Sequence, residues 1–353
     1  MEPYKKITLE NGLRVILVPQ EGSLTTTMLV LVEAGSKYET KEINGLSHFL
    51  EHMCFKGTEK RPRPIDIAVE LDRIGGASNA FTSHEYTGYY AKAQRKHFPI
   101  VLDLVSDVYL HSTFDAQEID KERGVIIEEN NYRDEILPNK AAELFMELLY
   151  GDQPAGWGIG GKKEVIQRLS RDQFLAYRAA HYVPHATIVV VAGSFDESTI
   201  LEEIKNIFSA IPSGEKGSKT PTREYQEQPA VMVKHKATDQ THLVMGVRAF
   251  DTFDTRRYAL QVLVNVLGGG MSSRLFQRIR EEMGAGYYVS ANDDLYTDHG
   301  YLAVSAGVEH VKIESVITAV LEEFSRLVTT PVPSDELQKA KDHLMGGLVL
   351  HLE

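Results

Sequence analysis

Hydrophobic and polar positions alternate along this chain with two different periods, which predicts a mixture of strands and helices. Apolar and β-branched stretches with a period of about two residues indicate strands. We predict a hairpin with an Asn-Gly turn at 7–18 and strands at 28–33, 77–82, 86–93 and 187–192. Apolar positions spaced three and four residues apart indicate helices, which we predict at 44–57, 64–74, 98–110, 114–133, 172–181 and 197–210. The two patterns together predict an α+β fold.

The second part of the chain repeats this order of elements. A stretch of small and charged residues at 213–220 is the clearest linker in the sequence. Beyond it we predict strands at 231–234, 241–247, 287–291 and 301–306, and helices at 255–267, 273–282 and 311–327. This succession matches that of residues 25–133, so we infer an internal duplication of one α+β unit.

The duplication defines the expected architecture. Each of two homologous units is predicted to be a mostly antiparallel sheet with helices packed on one side. We expect the first domain at 1–215 and the related second domain at 220–353. The first unit continues for 77 residues beyond its charged helix, from 133 to 210, whereas the chain ends inside the counterpart of that helix. The second unit is therefore expected to be C-terminally incomplete.

The helix predicted at 44–57 has one apolar face. Asn44 is a residue type that caps helix starts, and Gly57 suits a helix end. At about 3.6 residues per turn, four apolar residues fall on one stripe that suits a core. These are Leu46, Phe49, Leu50 and Met53.

The other face of this helix carries two histidines. His48 and His52 lie four residues apart and project together, and Glu51 immediately precedes the second histidine. Two imidazoles at this spacing can share a tetrahedral Zn²⁺, and the carboxylate can act on a zinc-bound water. The order His-x-x-Glu-His is the inverse of the zincin motif. The alternative is a chance grouping on a solvated helix face, and a third ligand decides between the two.

Carboxylates on the charged helix at 114–133 are candidates for that ligand. Glu122 and Glu129 lie seven residues apart on one helix face, with Glu118 close to the same stripe. Glu128 is rotated by about 100° from Glu129. If this helix completes a His-His-Glu site, Glu129 has Glu122 beneath it as a supporting partner, whereas Glu128 has none. The alternative is a set of solvated helix charges.

Composition narrows the classes of function. The chain has 353 residues, of which 42% are hydrophobic and 25% charged, and a formal net charge of −12. Such an acidic chain is not expected to bind nucleic acid. The single cysteine, Cys54, excludes an internal disulfide framework and is expected in the core. Because no apolar run reaches membrane-spanning length and the first residues lack a signal-peptide pattern, we expect a cytoplasmic protein without a membrane partner.

Taken together, these motifs resemble the pitrilysin/insulysin-like inverzincin peptidases, over almost the whole chain. The likeness is strongest to the short-chain branch that contains the mitochondrial processing peptidase and its bacterial relatives. Its sequence features are Asn11-Gly12-Leu13-Arg14-Val15, Gly45-Leu46-Ser47, His48-Phe49-Leu50-Glu51-His52, Gly75-Gly76, Asn79-Ala80 and Glu122-Arg123-Gly124-Val125-Ile126.

The resemblance implies roles for individual residues. His48, His52 and Glu129 would bind Zn²⁺, Glu51 would be the general base, and Glu122 would be a second acidic residue of the catalytic motif.

The resemblance also implies how substrate is held. Asn79, Ala80 and Phe81 would form an edge onto which an extended peptide adds by backbone hydrogen bonds. Arg280 and Tyr287 match an arginine and a tyrosine seven residues apart that contact the substrate and the developing oxyanion in the family. The alternative is that these two residues merely end a helix and begin a strand.

By the same resemblance, the expected function is a zinc endopeptidase that cleaves unfolded peptides or presequence-like segments. In this family two chains, or two halves of one chain, face each other around a closed chamber, and the Arg-Tyr pair of one half serves the zinc of the other. Since this chain carries both features, we expect a homodimer, with a heterodimer containing a zinc-less subunit as the alternative. The competing function is a non-catalytic scaffold subunit, and the competing cofactor is another divalent ion.

Overall fold

The computed structural model describes residues 4–352 as two compact units. Unit 1 contains the described residues up to Asn131 together with Gln153–Thr220, and unit 2 contains Tyr132–Asp152 and the described residues from Pro221 onward. The predicted domain limits, 1–215 and 220–353, differ mainly in the segment 132–152, which packs with the second unit.

Both strands and helices are abundant, as an α+β fold requires. The strands are β1 (Lys5–Thr8), β2 (Arg14–Pro19), β3 (Thr25–Val32), β4 (Ala77–Thr82), β5 (Thr87–Gln94), β6 (Thr187–Gly193), β7 (Thr241–Ala249), β8 (Gly286–Leu295) and β9 (Gly300–Val308). The helices are α1 (Leu46–Cys54), α2 (Pro64–Arg73), α3 (Phe98–Leu110), α4 (Ala116–Glu135), α5 (Leu137–Tyr150), α6 (Lys163–Ile166), α7 (Arg171–His181), α8 (Glu197–Phe208), α9 (Arg257–Gly268), α10 (Ile313–Thr329) and α11 (Ser334–Leu352). Among the described residues, no helix combines the length and apolarity that crossing a bilayer requires.

Unit 1 is built on a six-stranded sheet in the order β1-β2-β6-β3-β5-β4. Its strand pairs are antiparallel except for β2 and β6, which run parallel. Along β3 and β6 every second residue is buried, because successive side chains of a strand point to opposite faces. Helix α3 packs against β3 and β5. Strand β4 lies at the edge of the sheet, with β5 as its neighbour in the sheet order.

Unit 2 contains a three-stranded antiparallel sheet in the order β7-β9-β8. Helix α5 packs on this sheet: the Phe145 ring meets the Tyr301 ring edge-on at 5.3 Å, and the Tyr150 hydroxyl donates to the Gly300 carbonyl at 3.2 Å. These contacts explain why residues 132–152 belong to unit 2, although helices α6, α7 and α8 of unit 1 follow them in the sequence.

Two predicted elements of unit 2 differ in the structure. The strand expected at 231–234 is irregular, and Val231 and Val233 are 84% and 86% exposed. In unit 1 the hairpin strand β2 pairs with β6, whereas residues 221–352 contain no counterpart of β6, so this segment lacks a partner for its backbone groups. The helix expected at 273–282 contains a π-helix at Phe276–Glu282, in which the Met283 N–H bonds to the Arg278 carbonyl at 3.0 Å.

The apolar face of α1 provides a stability prediction. Phe49 is fully buried, and its ring meets the Phe174 ring edge-on at 4.9 Å. We expect Phe49→Ala to lower the free energy of unfolding of unit 1 by about 3–5 kcal/mol, because the substitution removes apolar contacts and leaves a cavity. Denaturant unfolding of the zinc-free protein, followed by the fluorescence of Trp157, checks this, since the chain has a single tryptophan and it lies in unit 1.

The matched control for this prediction is Ile65→Ala on α2, where the side chain is 55% exposed. We expect this control to change the free energy of unfolding by no more than about 0.5 kcal/mol. Equal losses for the two variants would contradict the assignment of Phe49 to the core.

Candidate metal centre

The helix that carries the histidine pair begins differently from the sequence prediction. Helix α1 starts after Gly45, whose φ of +97° favours glycine, and Asn44 makes no capping bond to the helix. The Asn44 amide instead donates to Glu39 Oε2 at 3.0 Å and to the Gly158 carbonyl at 3.2 Å. The helix ends at Cys54 with Phe55 as its C-cap, before the predicted Gly57.

Glu39 takes over the capping role that was predicted for Asn44. Its two carboxylate oxygens accept hydrogen bonds from the Gly45 and Ser47 N–H groups, each at 2.7 Å. A carboxylate at this position also interacts favourably with the positive end of the helix dipole. Burial raises the pKa of Glu39 to about 7, although the bonds from Ser47, Gly45 and Asn44 oppose the shift.

The apolar stripe of α1 is confirmed. Its four residues are at most 1% exposed and belong to the core of unit 1: Leu46, Phe49, Leu50 and Met53. Cys54 is a free thiol and is buried with them, as predicted. Burial of this face leaves the opposite face of the helix for His48 and His52.

Helix α4 brings Glu129 to the two histidines. Glu129 Oε2 lies 3.6 Å from His48 Nε2 and 3.5 Å from His52 Nε2, and the three side chains offer ligand atoms within 4.8 Å of one another. These separations exceed the N–H···O distance of about 2.7–3.2 Å that a hydrogen bond would give. Two ligands bound at about 2.1 Å to a tetrahedral Zn²⁺ would lie roughly 3.4 Å apart. The donor set therefore fits a shared metal ion.

Glu122 lies behind His52 and orients its ring. Glu122 Oε1 is 2.9 Å from His52 Nδ1, and Glu122 Oε2 is 2.6 Å from Lys56 Nζ. Burial raises the pKa of Glu122, but the bonds from His52 and Lys56 outweigh that effect and the pKa is lowered. An ionised carboxylate at Nδ1 keeps the proton on that nitrogen, so that Nε2 presents its lone pair toward Glu129 and His48.

Glu51 is held by the edge strand of the sheet. The Thr82 hydroxyl at the end of β4 donates to Glu51 Oε2 at 2.6 Å, and Glu51 is 9% exposed. Residues 79–81, predicted to bind substrate, lie on this edge strand, and Asn79 and Phe81 are exposed. The bond from Thr82 thus links the predicted general base directly to the predicted substrate strand.

The other carboxylates of α4 lie outside the cluster. Glu128 is exposed and accepts a bond from Asn131 at 3.4 Å, and Glu118 pairs with Lys121 at 2.6 Å. Glu129, and not its neighbour Glu128, joins the histidines because the one-residue rotation carries Glu128 away from them.

Arg280 and Tyr287 lie in unit 2, where they contact each other. The Arg280 guanidinium donates to the Tyr287 carbonyl at 3.0 Å and lies 5.1 Å from the centre of the Phe276 ring. Tyr287 sits at an irregularity in the pairing of β8 with β9, and its side chain is 75% exposed. Their predicted contacts with substrate stay predictions.

Comparison with known proteins agrees with this architecture. Residues 14–161 match the sequence profile of insulinase (peptidase family M16), and residues 168–344 match that of the peptidase M16 inactive domain. The chain belongs to the peptidase M16 family. A Bacillus subtilis protein named uncharacterized zinc protease YmxG is 36% identical over 349 residues, which cover 99% of this chain and 84% of that protein. An uncharacterized zinc protease of Streptomyces coelicolor is 31% identical, over 99% of this chain and 77% of its own length.

Solved structures of other proteins share the fold. A protease from Helicobacter pylori superposes with a TM-score of 0.91 at 23% identity, over 98% of this chain and 85% of its own. A structure of a peptidase M16 inactive domain from Pseudomonas fluorescens gives a TM-score of 0.89 at 19% identity, over 98% and 84% of the two chains. These structures confirm the predicted α+β fold, and the matching sequence profiles and relatives confirm the family resemblance.

Sequence reasoning named Glu122 as a supporting residue, and the structure gives it His52 and Lys56 as partners, but it missed Glu39 and Thr82. Glu39 lies seven positions before Leu46, the first residue of α1, which is too far for a local capping pattern to mark it. Thr82 is one of several polar residues on β4. An acidic residue in the region before a helix start is a weak signal for Glu39, and Thr82 carries none.

The buried cap makes the stability of unit 1 depend on pH through Glu39. Its folded pKa of about 7 lies above the ordinary value of 4.5, so the folded protein binds more protons than the unfolded chain between these values. The contribution of Glu39 to stability is therefore full below about pH 4.5 and is lost as the pH rises through 7. Relative to Glu39→Gln, we expect the parent protein to lose about 2 kcal/mol between pH 5.5 and pH 8.

Urea unfolding of zinc-free protein at the two pH values, followed by Trp157 fluorescence, measures this difference. Comparison with Glu39→Gln cancels the titration of other groups. Parallel pH profiles for the two proteins would show that Glu39 does not titrate in this range.

Proposed function

We propose that this protein is a zinc-dependent endopeptidase that cleaves unfolded peptides or presequence-like segments. The observation that carries the proposal is the set of His48, His52 and Glu129 donor atoms, whose 3.5 and 3.6 Å separations suit a shared cation. The relatives named zinc proteases support the same chemistry. The motif that combines both histidines with Glu51 on one helix supports a hydrolytic role.

The side chains divide the chemistry among them. His48, His52 and Glu129 would hold Zn²⁺, which would supply a Lewis acid for the scissile carbonyl and for a water molecule. Glu51 accepts the proton of that water and passes it to the departing amine, and Thr82 keeps its carboxylate oriented by the 2.6 Å hydrogen bond. Glu122 fixes the His52 ring through Nδ1. Thr82 and Glu122 therefore orient Glu51 and His52 before substrate binds.

The position of strand β4 at the sheet edge favours the proposal that the substrate is an unfolded peptide. An extended peptide can pair with the outer edge at Asn79, Ala80 and Phe81 and so extend the sheet by one strand. A folded protein cannot offer such a free strand without unfolding locally. Phe81 and Tyr86 are 37% and 49% exposed and form an edge-on pair with ring centres 6.1 Å apart, which suits contact with an apolar substrate side chain.

We further propose that Arg280 and Tyr287 contact the substrate and stabilise the developing oxyanion of a partner's zinc centre. The exposed phenol of Tyr287 and the exposed position of Arg280 support this role. A chain that carries both the metal motif and this pair suits a homodimer with two equivalent sites. A heterodimer with a zinc-less subunit is the alternative assembly.

The decisive test combines zinc content with peptide cleavage in the parent protein and Glu51→Gln. We expect about one zinc per chain in both proteins, and a loss of cleavage in Glu51→Gln of about 10²-fold or more, because the base is absent while the ligands remain. Glu128→Gln is the matched control, since Glu128 is exposed and lies outside the donor group.

Each other outcome of this test has a defined meaning. A parent protein without zinc would refute the metal site. Zinc without cleavage in the parent protein would favour the scaffold function, or a catalytic centre that needs a different partner.

The role of Tyr287 gives a separate prediction. We expect Tyr287→Phe to lower kcat by about 10–100-fold with unchanged zinc content and little change in KM, because the lost hydroxyl would act mainly in the transition state. Steady-state kinetics on an unfolded peptide measure both constants. Tyr258→Phe, an exposed tyrosine of the same unit, is the control. Equal kcat for the parent protein and Tyr287→Phe would remove the phenol from the mechanism.

A further inference from the structure

The donor atoms come from two helices, and one loop contacts both helices close to their ligands. Helix α1 carries His48 and His52, whereas α4 carries Glu129. Residues 158–161, which we call the positioning loop, have the sequence Gly-Ile-Gly-Gly and precede α6. The three donor residues and the positioning loop all belong to unit 1, which includes α4 as far as Asn131.

On one side, the positioning loop contacts the start of α1. The Asn44 amide donates to the Gly158 carbonyl at 3.2 Å, and the same amide is held by Glu39 at 3.0 Å. A Cβ on Gly45 would lie 2.7 Å from the Gly160 carbonyl oxygen, so the two backbones approach as closely as glycine permits.

On the other side, the positioning loop contacts α4 at the residue next to the third ligand. The Asn130 amide donates to the Gly160 carbonyl at 2.9 Å and to the Gly161 carbonyl at 3.3 Å. A Cβ on Gly160 would lie 2.0 Å from Asn130 Oδ1. Because Asn130 follows Glu129 directly, these bonds fix the backbone that carries the Glu129 carboxylate.

The backbone of the loop is itself restricted to glycine at Gly161. Gly161 has a φ of +70°, and a Cβ there would lie 2.2 Å from the Asn44 carbonyl oxygen. At Gly160 and Gly161 the loop therefore places only main chain between Asn44 and Asn130. A side chain at Gly161 would force the loop away from α1.

We propose that the positioning loop, held by Asn44 and Asn130, sets the spacing between the two ligand-bearing helices and thereby the affinity for zinc. Asn44 and Asn130 are positioning residues in this proposal, since neither belongs to the donor group. The proposal rests on the zinc site of the proposed function. Removal of residues that orient metal ligands typically costs about 10–100-fold in metal affinity, and we expect losses of this size here.

The experiment measures the zinc dissociation constant of Asn44→Ala, Asn130→Ala and the double variant by competition with a chromophoric chelator. We expect each single variant to bind zinc at least about 10-fold more weakly. Because both asparagines hold the same loop, the double variant should lose clearly less than the product of the single losses. The visible absorption of the Co²⁺-substituted proteins should change in each variant, since the arrangement of the ligands changes.

Asn131→Ala is the matched control, because this neighbouring asparagine is exposed and bonds to Glu128 at 3.4 Å instead of to the loop. We expect it to keep the parent zinc affinity and Co²⁺ spectrum. Circular dichroism of the zinc-free proteins shows whether each variant is folded. If Asn130→Ala does not fold, Asn130→Asp replaces it, since aspartate keeps the volume and removes the donated bonds.

The results separate this proposal from the proposed function. Zinc binding by the parent protein with single variants within about twofold of its affinity would overturn the positioning role and leave the zinc site intact. Fully multiplicative losses would mean that the asparagines act independently, which also overturns the role of a shared loop. A parent protein that binds no zinc would refute the proposed site, and the positioning role with it.

Discussion

A metal site of this kind depends on donor atoms that converge within a few ångströms although they come from separate helices. Glu129 Oε2 lies 3.5–3.6 Å from the Nε2 atoms of His48 and His52, so the packing of α1 and α4 must hold these side chains together. The burial of α1 is the interaction that fixes the position of the two histidines, because the apolar stripe of this helix lies in the core of unit 1. Since that face cannot leave the core at low free-energy cost, the histidines are confined to the opposite face.

Burial of the helix creates a second requirement, because its first N–H groups then need partners within the protein. Glu39 supplies them from an earlier loop, at the cost of a carboxylate that is 4% exposed. The same carboxylate holds Asn44, and Asn44 contacts the Gly158 carbonyl. Support for the candidate site thus extends from the carboxyl group of Glu39 through a glycine-rich loop to helix α4. None of these supporting residues belongs to the candidate donor group itself.

Much of the site could be predicted because it follows from periodicity within single helices. The four-residue spacing of His48 and His52 places them on one face of any helix that contains them, and the one-residue offset separates Glu129 from Glu128. Strand 77–82 and helix 98–110 were predicted with their observed bounds, because turn residues and apolar spacing agree there. The predicted strand at 231–234 was wrong, because β propensity cannot supply the neighbouring strand that a ladder needs.

The order of residues along the chain predicts which residue types share a helix face, the α+β class and the candidate metal ligands, because these follow from local geometry that every helix or strand obeys. Three contacts depend instead on how the elements pack: Glu39 caps α1, Thr82 holds Glu51, and the positioning loop joins Asn44 to Asn130. Each of these contacts joins residues distant in the chain or on different elements. Tertiary packing determines which polar residue reaches each buried group. Spacing along the sequence therefore does not predict these contacts.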